Sequence, residues 1–537
     1  MRLLPRLADE DELDRPQEPD QPQAQQTEGL PLRWLGAVLG ASLIARLGYL
    51  FFFTDPENAG DGFTDAYHHW QIAYLTKEIG LTRGPRLWDM RGWEYFWGPL
   101  HPVLMNVLFF ATGSTDIVLA RLLSLVFGTA AVALIFMLCH RYWGTAVAVA
   151  AGTFAAVSPV GIFNDTSGLA EPIGIALILF GIWLAPRHGF WAGVAWAVAA
   201  MARVEAWLFG FGLVVAWLIG SRRSRTPLLV GWLLGMGVYA KFLIDQTGNP
   251  IYPLYINFQF VGLAAGGTGG QAAGQSSLWF LFVLGSAMCV AGAAWALWRR
   301  PQSYLLLIFG LGYSALSLAT YLRYVTEWKE RRFEFPLDFA AILVAVALLR
   351  WLPGARARWR PISWATAAAG LLAVQLLWIP VQSAYVSTEP LFTYETSLGR
   401  QIMAVYDRPE YRGGVLNMPG DEPTLLYVMV RDGGLKGDRV TSQFYDPFYY
   451  LPAGYHYADH PEVAGPLLQC WLAGTKTRLL LIPPPGPVSF SVPDYKAYIG
   501  DHPQWFAATG ANLPNGWSLV AVNVPTPTAA ECAVRPS

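Results

Sequence analysis

The feature that most constrains this chain is a succession of long apolar stretches, separated by short polar turns, across residues 32–385. The first stretch, Arg33 to Phe53, is long enough to cross a bilayer as a helix. Charged residues make up only 14% of the chain and apolar residues 54%, whereas about a quarter of the residues in a soluble protein are charged. Trp and Tyr, which settle at both membrane interfaces, are abundant. The sequence therefore predicts a polytopic α-helical membrane protein.

Composition divides the chain into three regions. Residues 1–31 are acidic, rich in Gln and Pro and almost without aromatic residues, which predicts a disordered cytoplasmic tail. Residues 32–385 form the predicted transmembrane domain. Residues 386–537 lack long apolar runs and are rich in Pro, Gly, Tyr and Asp, so they are predicted to form a separate soluble domain.

The soluble region alternates short strand-like and helix-like patterns. Arg412–Met418 and Thr477–Ile482 are the predicted strands, and Thr424–Val430 and Pro461–Leu472 the predicted helices. A small α/β domain accounts best for this order. The domain also contains Cys470 and Cys532, for which both a disulfide and two separate thiols stay open.

Arginine clusters set the predicted topology, because basic loops stay on the cytoplasmic side. The strongest basic turns lie at 222–225, 299–300 and 350–360. Counting spans from these turns gives about eleven transmembrane helices in the plasma membrane, with a cytoplasmic N-terminus and an extracytoplasmic C-terminal domain. After the first, the predicted spans lie near 117–138, 145–163, 168–185, 190–202, 205–220, 227–245, 278–298, 303–322, 333–350 and 363–385. If segment 99–112 crossed the membrane completely, the loops would no longer alternate between the cytoplasmic and the external side. The segment is therefore predicted to be a short embedded helix. The alternative is that segment 99–112 does cross and that residues 190–220 do not form two separate spans.

The first external loop, residues 54–98, contains an amphipathic pattern next to its acidic residues. Thr64 or Asp65 is suited to cap a helix that continues to Ile79. This helix is predicted to lie on the membrane surface rather than to span it. An acidic residue that opens a helix directly after a span is unusual in a chain with so few charges.

Three carboxylates of this loop are expected near the outer interface: Asp61, Asp65 and Glu94. A carboxylate at that position can act as a general base toward a lipid-borne substrate. Asp65 also has a simpler interpretation as a helix N-cap, and Glu94 as a surface residue.

Several motifs then follow in a recognisable order along the chain. They are Asp65-Ala66-Tyr67, Gly98-Pro99-Leu100-His101-Pro102, Ala120-Arg121-Leu122-Leu123-Ser124, Ser158-Pro159 with Asn164-Asp165, Glu171-Pro172, and Glu330-Arg331-Arg332-Phe333-Glu334-Phe335-Pro336. In this order they resemble the GT-C glycosyltransferases, and within them the protein O-mannosyltransferase and aminoarabinose-transferase-like branch. The resemblance covers roughly residues 33–350. The chain departs from the family's pattern at two positions, with Ala66 where the family often has Glu and Gly98 where it often has Pro.

The resemblance implies an enzyme that transfers a hexosyl or pentosyl group from a polyprenyl-phosphate-linked donor to a hydroxyl acceptor, with inversion at the anomeric carbon. Asp65 is the expected base, with Asp61 and Glu94 in support. The leaving phosphate needs cationic or polar donors, and Arg matches its oxygens well. The residues expected to hold that phosphate are Arg331, Arg332, Arg121 and His101.

Four further residues are candidates for lining the cavity: Tyr67, Glu171, Arg203 and Glu205. Charged residues inside apolar stretches mark either a substrate pathway or an ion pair. For Glu171, Arg203 and Glu205 both interpretations stay open. Arg203 and Glu205 lie at a predicted helix break.

Partners and cofactors follow from the same reasoning. The lipid bilayer and a polyprenyl-phosphate sugar are expected partners, and the acceptor is a protein, a lipid or a glycan. Nucleic acid is not expected, because no Lys/Arg run is long enough to follow a phosphate backbone. No metal ligand set is predicted, although a divalent cation stays open. A non-catalytic transporter or flippase of lipid-linked glycans is the alternative function.

Overall fold

The structure is a computed structural model, and it describes residues 29–52, 64–80, 98–204, 206–219, 222–255, 305, 391–419, 422–442, 457–484, 492–528 and 532. The described residues fall into two compact units. The first unit contains residues 29–52, those described from Arg121 to Tyr255, and Leu305. The second contains residues 64–80, 98–120 and those from 391 onward.

The first unit is helical. Its helices are α1 (Leu32–Phe52), most of α4 (Ile117–Trp143), α5 (Thr145–Val157), α6 (Pro159–Thr166), α7 (Glu171–Leu184), α8 (Gly189–Ala200), α9 (Ala206–Ile219) and α10 (Arg222–Thr247). In the second unit, α2 (Thr64–Ile79) and α3 (Leu100–Thr112) accompany the C-terminal domain. The prediction of a helical chain with apolar helices is confirmed.

Three of the described helices are long and apolar enough to cross a membrane, namely α1, α4 and α10. Helices α7, α8 and α9 have 14, 12 and 14 residues. At 1.5 Å per residue each measures about 20 Å, less than the roughly 30 Å of a hydrocarbon core. The described residues therefore do not reach the predicted count of eleven spans. The spans predicted between 278 and 385 lie outside the described residues.

The predicted span at 145–163 is divided in two, which corrects the sequence prediction. Helix α5 ends at Val157 and α6 begins at Pro159. Ser158, between them, has extended backbone angles (φ −64°, ψ 118°). A residue before proline disfavours the helical region for steric reasons, and proline fits the first turn of a helix because it needs no N–H there. The Ser158-Pro159 pair therefore ends one helix and starts the next.

Helices α8 and α10 approach each other closely through glycine. A Cβ added to Gly193 would lie 2.1 Å from the carbonyl oxygen of Leu228, and one added to Gly231 would lie 2.0 Å from that of Phe190. Only residues without a side chain allow two backbones to come this near, as in the small-residue interfaces of membrane helices.

The C-terminal domain contains a mixed five-stranded sheet with the strand order β2-β1-β3-β5-β4. Its elements, in chain order, are α11 (Leu391–Tyr406), β1 (Val415–Met418), α12 (Pro423–Arg431), β2 (Val440–Ser442), α13 (Pro461–Gly474), β3 (Thr477–Ile482), α14 (Val492–Asp501), β4 (Phe506–Ala508) and β5 (Ser518–Val522). The first three strands in the order are parallel, and β5 runs antiparallel to both of its neighbours, β3 and β4. Both predicted strands and both predicted helices are present, although β1 starts three residues later than expected.

One face of this sheet packs against α13 and α14. Leu480 and Ile482 of β3 contact a buried cluster that includes Leu468 and Tyr498. Tyr457 belongs to the same cluster, so this tyrosine is a core residue. The sequence left open whether the two cysteines of this domain pair. In the structure, Cys470 of α13 forms a disulfide with Cys532.

Candidate functional site

Asp65 lies in the first turn of α2 and is partly exposed, directly before the buried middle of the helix. The prediction of a helix from Thr64 to Ile79 is confirmed. Every residue from Ala66 to Leu75 is buried. Over these ten residues protein covers α2 on all sides and not on one face alone. The place of this helix on the membrane surface stays a prediction. Asp65 at the start of α2 and residues 76–79 at its end are at least partly exposed, while the segment between them is fixed by packing.

Helix α3 covers one side of α2. The amide of Asn106 donates a hydrogen bond of 2.9 Å to the carbonyl oxygen of Ala73. The rings of His69 and His101 meet edge to face, with 4.6 Å between centroids. This places His101, one of the predicted phosphate ligands, on the helix that packs beside the Asp65 helix. The side chain is fully buried, and its two ring nitrogens have no hydrogen-bond partner in the described part of the chain.

His68 follows Asp65 by one helical turn, so the two side chains share a side of α2. Burial lowers the pKa of His68 from 6.5 to about 3, because the charged imidazolium is disfavoured away from water. The ring is therefore neutral at physiological pH. It can exchange a hydrogen bond with a ligand, but it does not supply a positive charge for a phosphate.

Aromatic rings cover another side of α2. Trp70 stacks on Tyr74 with 4.9 Å between ring centroids, and the edge of Tyr427 of α12 meets Trp70 at 4.9 Å. Tyr67, predicted to line a cavity, is fully buried and contacts Tyr427 at 5.4 Å. The Trp70 indole N–H donates a 2.6 Å hydrogen bond to the carbonyl oxygen of Thr115. Tyr67 therefore helps to anchor α2.

A separate charged cluster lies in the first unit, and the sequence analysis missed it. The Arg46 guanidinium, in the middle of α1, binds the Asp165 carboxylate with N–O distances of 2.6 and 2.7 Å. It also donates to the Ser42 hydroxyl at 2.7 Å and to the Ala156 carbonyl oxygen at 2.9 Å. That carbonyl belongs to the last turn of α5, where helix carbonyls have no partner of their own. The charge of Arg46 within an apolar stretch was the available signal.

The carboxylate of Asp165 occupies space that only glycine leaves free. A Cβ on Gly128 of α4 would lie 2.0 to 2.2 Å from the Asp165 carboxyl atoms. Helix α1 therefore provides the arginine of this ion pair, and α4 leaves the space that the carboxylate occupies.

Glu171 and Arg203, both predicted as cavity residues, form a buried ion pair of 3.2 Å. Glu171 opens α7, and Arg203 lies between α8 and α9, which confirms the predicted break at that residue. The observed pairing favours the ion-pair interpretation of the two that the sequence left open.

Arg121 lies in the second turn of α4 and is fully buried. One turn later, the Ser124 hydroxyl donates a 2.7 Å hydrogen bond to the carbonyl oxygen of Leu169. The remaining predicted site residues, Asp61, Glu94, Glu205, Arg331 and Arg332, lie outside the described residues. Their roles stay predictions. Within the residues that the structure describes, no group of three His, Cys, Asp or Glu side chains is arranged to hold a metal ion.

Comparison with known proteins gives a likeness in structure only. No family model matches the chain, and no curated protein matches it in sequence. The oligosaccharyltransferase AglB of Archaeoglobus fulgidus, in complex with an inhibitory peptide and a dolichol-phosphate, gives a TM-score of 0.49 at 12% identity, covering 89% of this chain and 72% of that one.

Two further structures of the same enzyme give similar values. The apo form has a TM-score of 0.48 at 11% identity, and the form tethered to an acceptor peptide with the NVT sequon has 0.49 at 11%. Both also cover 89% of this chain and 72% of the other. Each of these TM-scores lies below 0.5, so they do not establish a shared fold.

Proposed function

We propose that this protein is a GT-C-type membrane glycosyltransferase that moves a sugar from a polyprenyl-phosphate donor to a hydroxyl acceptor at the outer membrane face. The observation that carries the proposal is the position of Asp65. Its carboxylate opens a helix that is buried over its next ten residues, and it stays partly exposed itself. A general base must be held in a fixed position and must also be accessible to the acceptor hydroxyl.

The reaction is a single displacement. The acceptor hydroxyl gives its proton to the Asp65 carboxylate as its oxygen forms a bond to the anomeric carbon. The bond from that carbon to the phosphate oxygen breaks, and polyprenyl phosphate leaves with the electron pair. Because the acceptor attacks opposite the leaving group, the anomeric configuration inverts.

The leaving phosphate gains negative charge as the bond breaks, so positive charge near it lowers the barrier. Arg331 and Arg332 are the proposed donors from the late part of the chain, with Arg121 as a further cationic candidate. Burial lowers the pKa of His101 to about 3, so His101 is proposed to contact the phosphate as a neutral hydrogen-bond donor. The neutral state of His68 supports assigning this cationic role to arginine, because the His68 imidazole carries no positive charge. Asp61 and Glu94 are proposed to support Asp65.

The proposed setting is the plasma membrane, with a cytoplasmic N-terminus and with the loop of Asp65 and the C-terminal domain outside the cell. Among the described helices, three are able to span a bilayer, and they support a membrane setting. The alternative function is a non-catalytic transporter of lipid-linked glycans. A transporter holds its substrate without a base, so it tolerates the loss of a carboxylate charge.

Turnover of labelled donors by purified protein in nanodiscs tests the proposal. A panel of polyprenyl-phosphate sugars is incubated with protein, peptide, lipid and glycan acceptors, with and without EDTA. The variants are Asp65→Asn and, as a matched control at the opposite and exposed end of the same helix, Glu78→Gln. We expect turnover in the wild type and in Glu78→Gln, and its loss in Asp65→Asn. Undiminished turnover in Asp65→Asn would refute the assignment of the base.

A further inference from the structure

The segment Pro423–Gly437 of the C-terminal domain contacts α2 along most of its length. Near the start of α2, the Tyr427 ring touches Tyr67 and Trp70. Near its end, the Tyr74 hydroxyl lies 3.5 Å from the carbonyl oxygen of Leu435. These contacts join residues that are separated by more than 300 positions in the sequence.

Gly437 completes this contact at the end of α2. A Cβ added there would meet Glu78, Leu75 and Tyr74 at 3.2 to 3.4 Å. The segment therefore follows α2 from Tyr67 in its first turn to Glu78 in its last turn. The contact at Gly437 is tight, so a larger side chain there would displace the neighbouring side chains of α2.

Tyr427 is the central residue of this contact. It is buried, it lies between Tyr67 and Trp70, and its ring is also covered by the Arg431 guanidinium at 5.3 Å. Aromatic pairs of this kind contribute beyond the area they bury, and a cation over the ring adds further attraction. Its ring restrains the turn of α2 that directly follows Asp65.

We infer that the C-terminal domain holds the Asp65 helix in place, with Tyr427 as a positioning residue for the base. The inference rests on the proposed function for its effect on the reaction, but the holding itself is a property of the fold. In this role Tyr427 touches neither donor nor acceptor. Its loss reduces the rate of the chemical step rather than the affinity for the donor, because the base is misplaced while the donor site is unchanged.

Two kinds of variant separate positioning from general damage to the domain. Tyr427→Ala removes the ring, Tyr427→Phe keeps it, and Gly437→Val disturbs the same contact at the other end of α2. Tyr498→Ala is the control, because Tyr498 is an equally buried tyrosine of the same domain that packs in the α13–α14 core.

Hydrogen exchange of the α2 amides and donor turnover are measured for each variant of the full-length protein. We expect faster α2 exchange in Tyr427→Ala and Gly437→Val, and kcat lower by a factor on the order of ten to one hundred with KM for the donor unchanged. Tyr427→Phe should match the wild type, and Tyr498→Ala should leave α2 exchange unchanged.

Wild-type α2 exchange in both Tyr427→Ala and Gly437→Val would overturn the inference, as would equal opening of α2 in Tyr498→Ala. If the wild type turns over no donor, the proposed function fails. The exchange data then still decide whether the segment Pro423–Gly437 holds α2.

Discussion

Replacing Gly128 with alanine should break the buried ion pair between Arg46 and Asp165. The new Cβ would lie 2.0 to 2.2 Å from the Asp165 carboxyl atoms, far inside contact distance, so the carboxylate has to leave. Arg46 is 1% exposed, and it would then keep its charge without its anionic partner. Removing one partner of a buried pair destabilises a protein by about 3–5 kcal/mol. We expect a loss of that size in the free energy of unfolding.

A double-mutant cycle attributes the loss to the pair. Asp165→Ala alone should lower the free energy of unfolding by about 3–5 kcal/mol for the same reason. In the double variant Gly128→Ala, Asp165→Ala, the methyl group of residue 128 no longer meets a carboxylate. The double variant should therefore be about as stable as Asp165→Ala, which gives a coupling of about 3–5 kcal/mol between the two sites.

Reversible unfolding in mixed micelles, followed by circular dichroism, measures these free energies. Gly40→Ala is the matched control, because nothing lies within 4 Å of a Cβ at that position of α1. Alanine favours a helix over glycine, so the control should be unchanged or more stable by up to about 1 kcal/mol. The reasoning would be refuted if Gly128→Ala were as stable as Gly40→Ala, or if the losses at 128 and 165 added without coupling.

Two other predictions concern pH and helix packing. His68 has a pKa of 6.5 when exposed and about 3 when buried, so it favours the folded state fully above pH 6.5 and progressively less as pH falls toward 3. At pH 5 its contribution to the free energy of unfolding should be lower by about 2 kcal/mol than above pH 6.5. The stability of His68→Phe should therefore fall less steeply between pH 6.5 and pH 5 in an acid unfolding series. A fall as steep as that of the wild type would contradict the prediction. In the α8–α10 pair, Gly231→Ala should destabilise the protein by about 1–3 kcal/mol, because its Cβ would strike a carbonyl of α8. Gly237→Ala, where a Cβ meets nothing within 4 Å, is the control in the same thermal unfolding assay, and equal stability of the two variants would disprove the close approach.

Local patterns predicted the elements whose limits depend on nearby residues. Helix α2 has the predicted limits Thr64 and Ile79, and β3 has the predicted limits because its apolar run is bounded by turn residues. The break before Pro159 is also a local effect, but hydropathy outweighed the proline in the prediction, so a single span was expected there.

Contacts between distant residues could not be predicted in this way. Arg46 and Asp165 are 119 positions apart, and no periodicity indicates that they meet. The burial of residues 66–75 of α2 depends on Tyr427 and Asn106, which come from other parts of the chain. An amphipathic pattern identifies which residues avoid water, but it does not distinguish lipid from protein as the covering surface.

The central claim is that Asp65 acts as the base, and the rate of the chemical step in a single turnover tests it most directly. Donor bound to excess enzyme is mixed with acceptor, and the first-order rate of transfer is compared between wild type and Asp65→Asn, with donor affinity measured separately. General base catalysis contributes a factor of about 10² to 10⁴. We predict that the rate falls by such a factor in Asp65→Asn while donor affinity is retained. An unchanged rate, or a loss confined to donor affinity, would contradict the account.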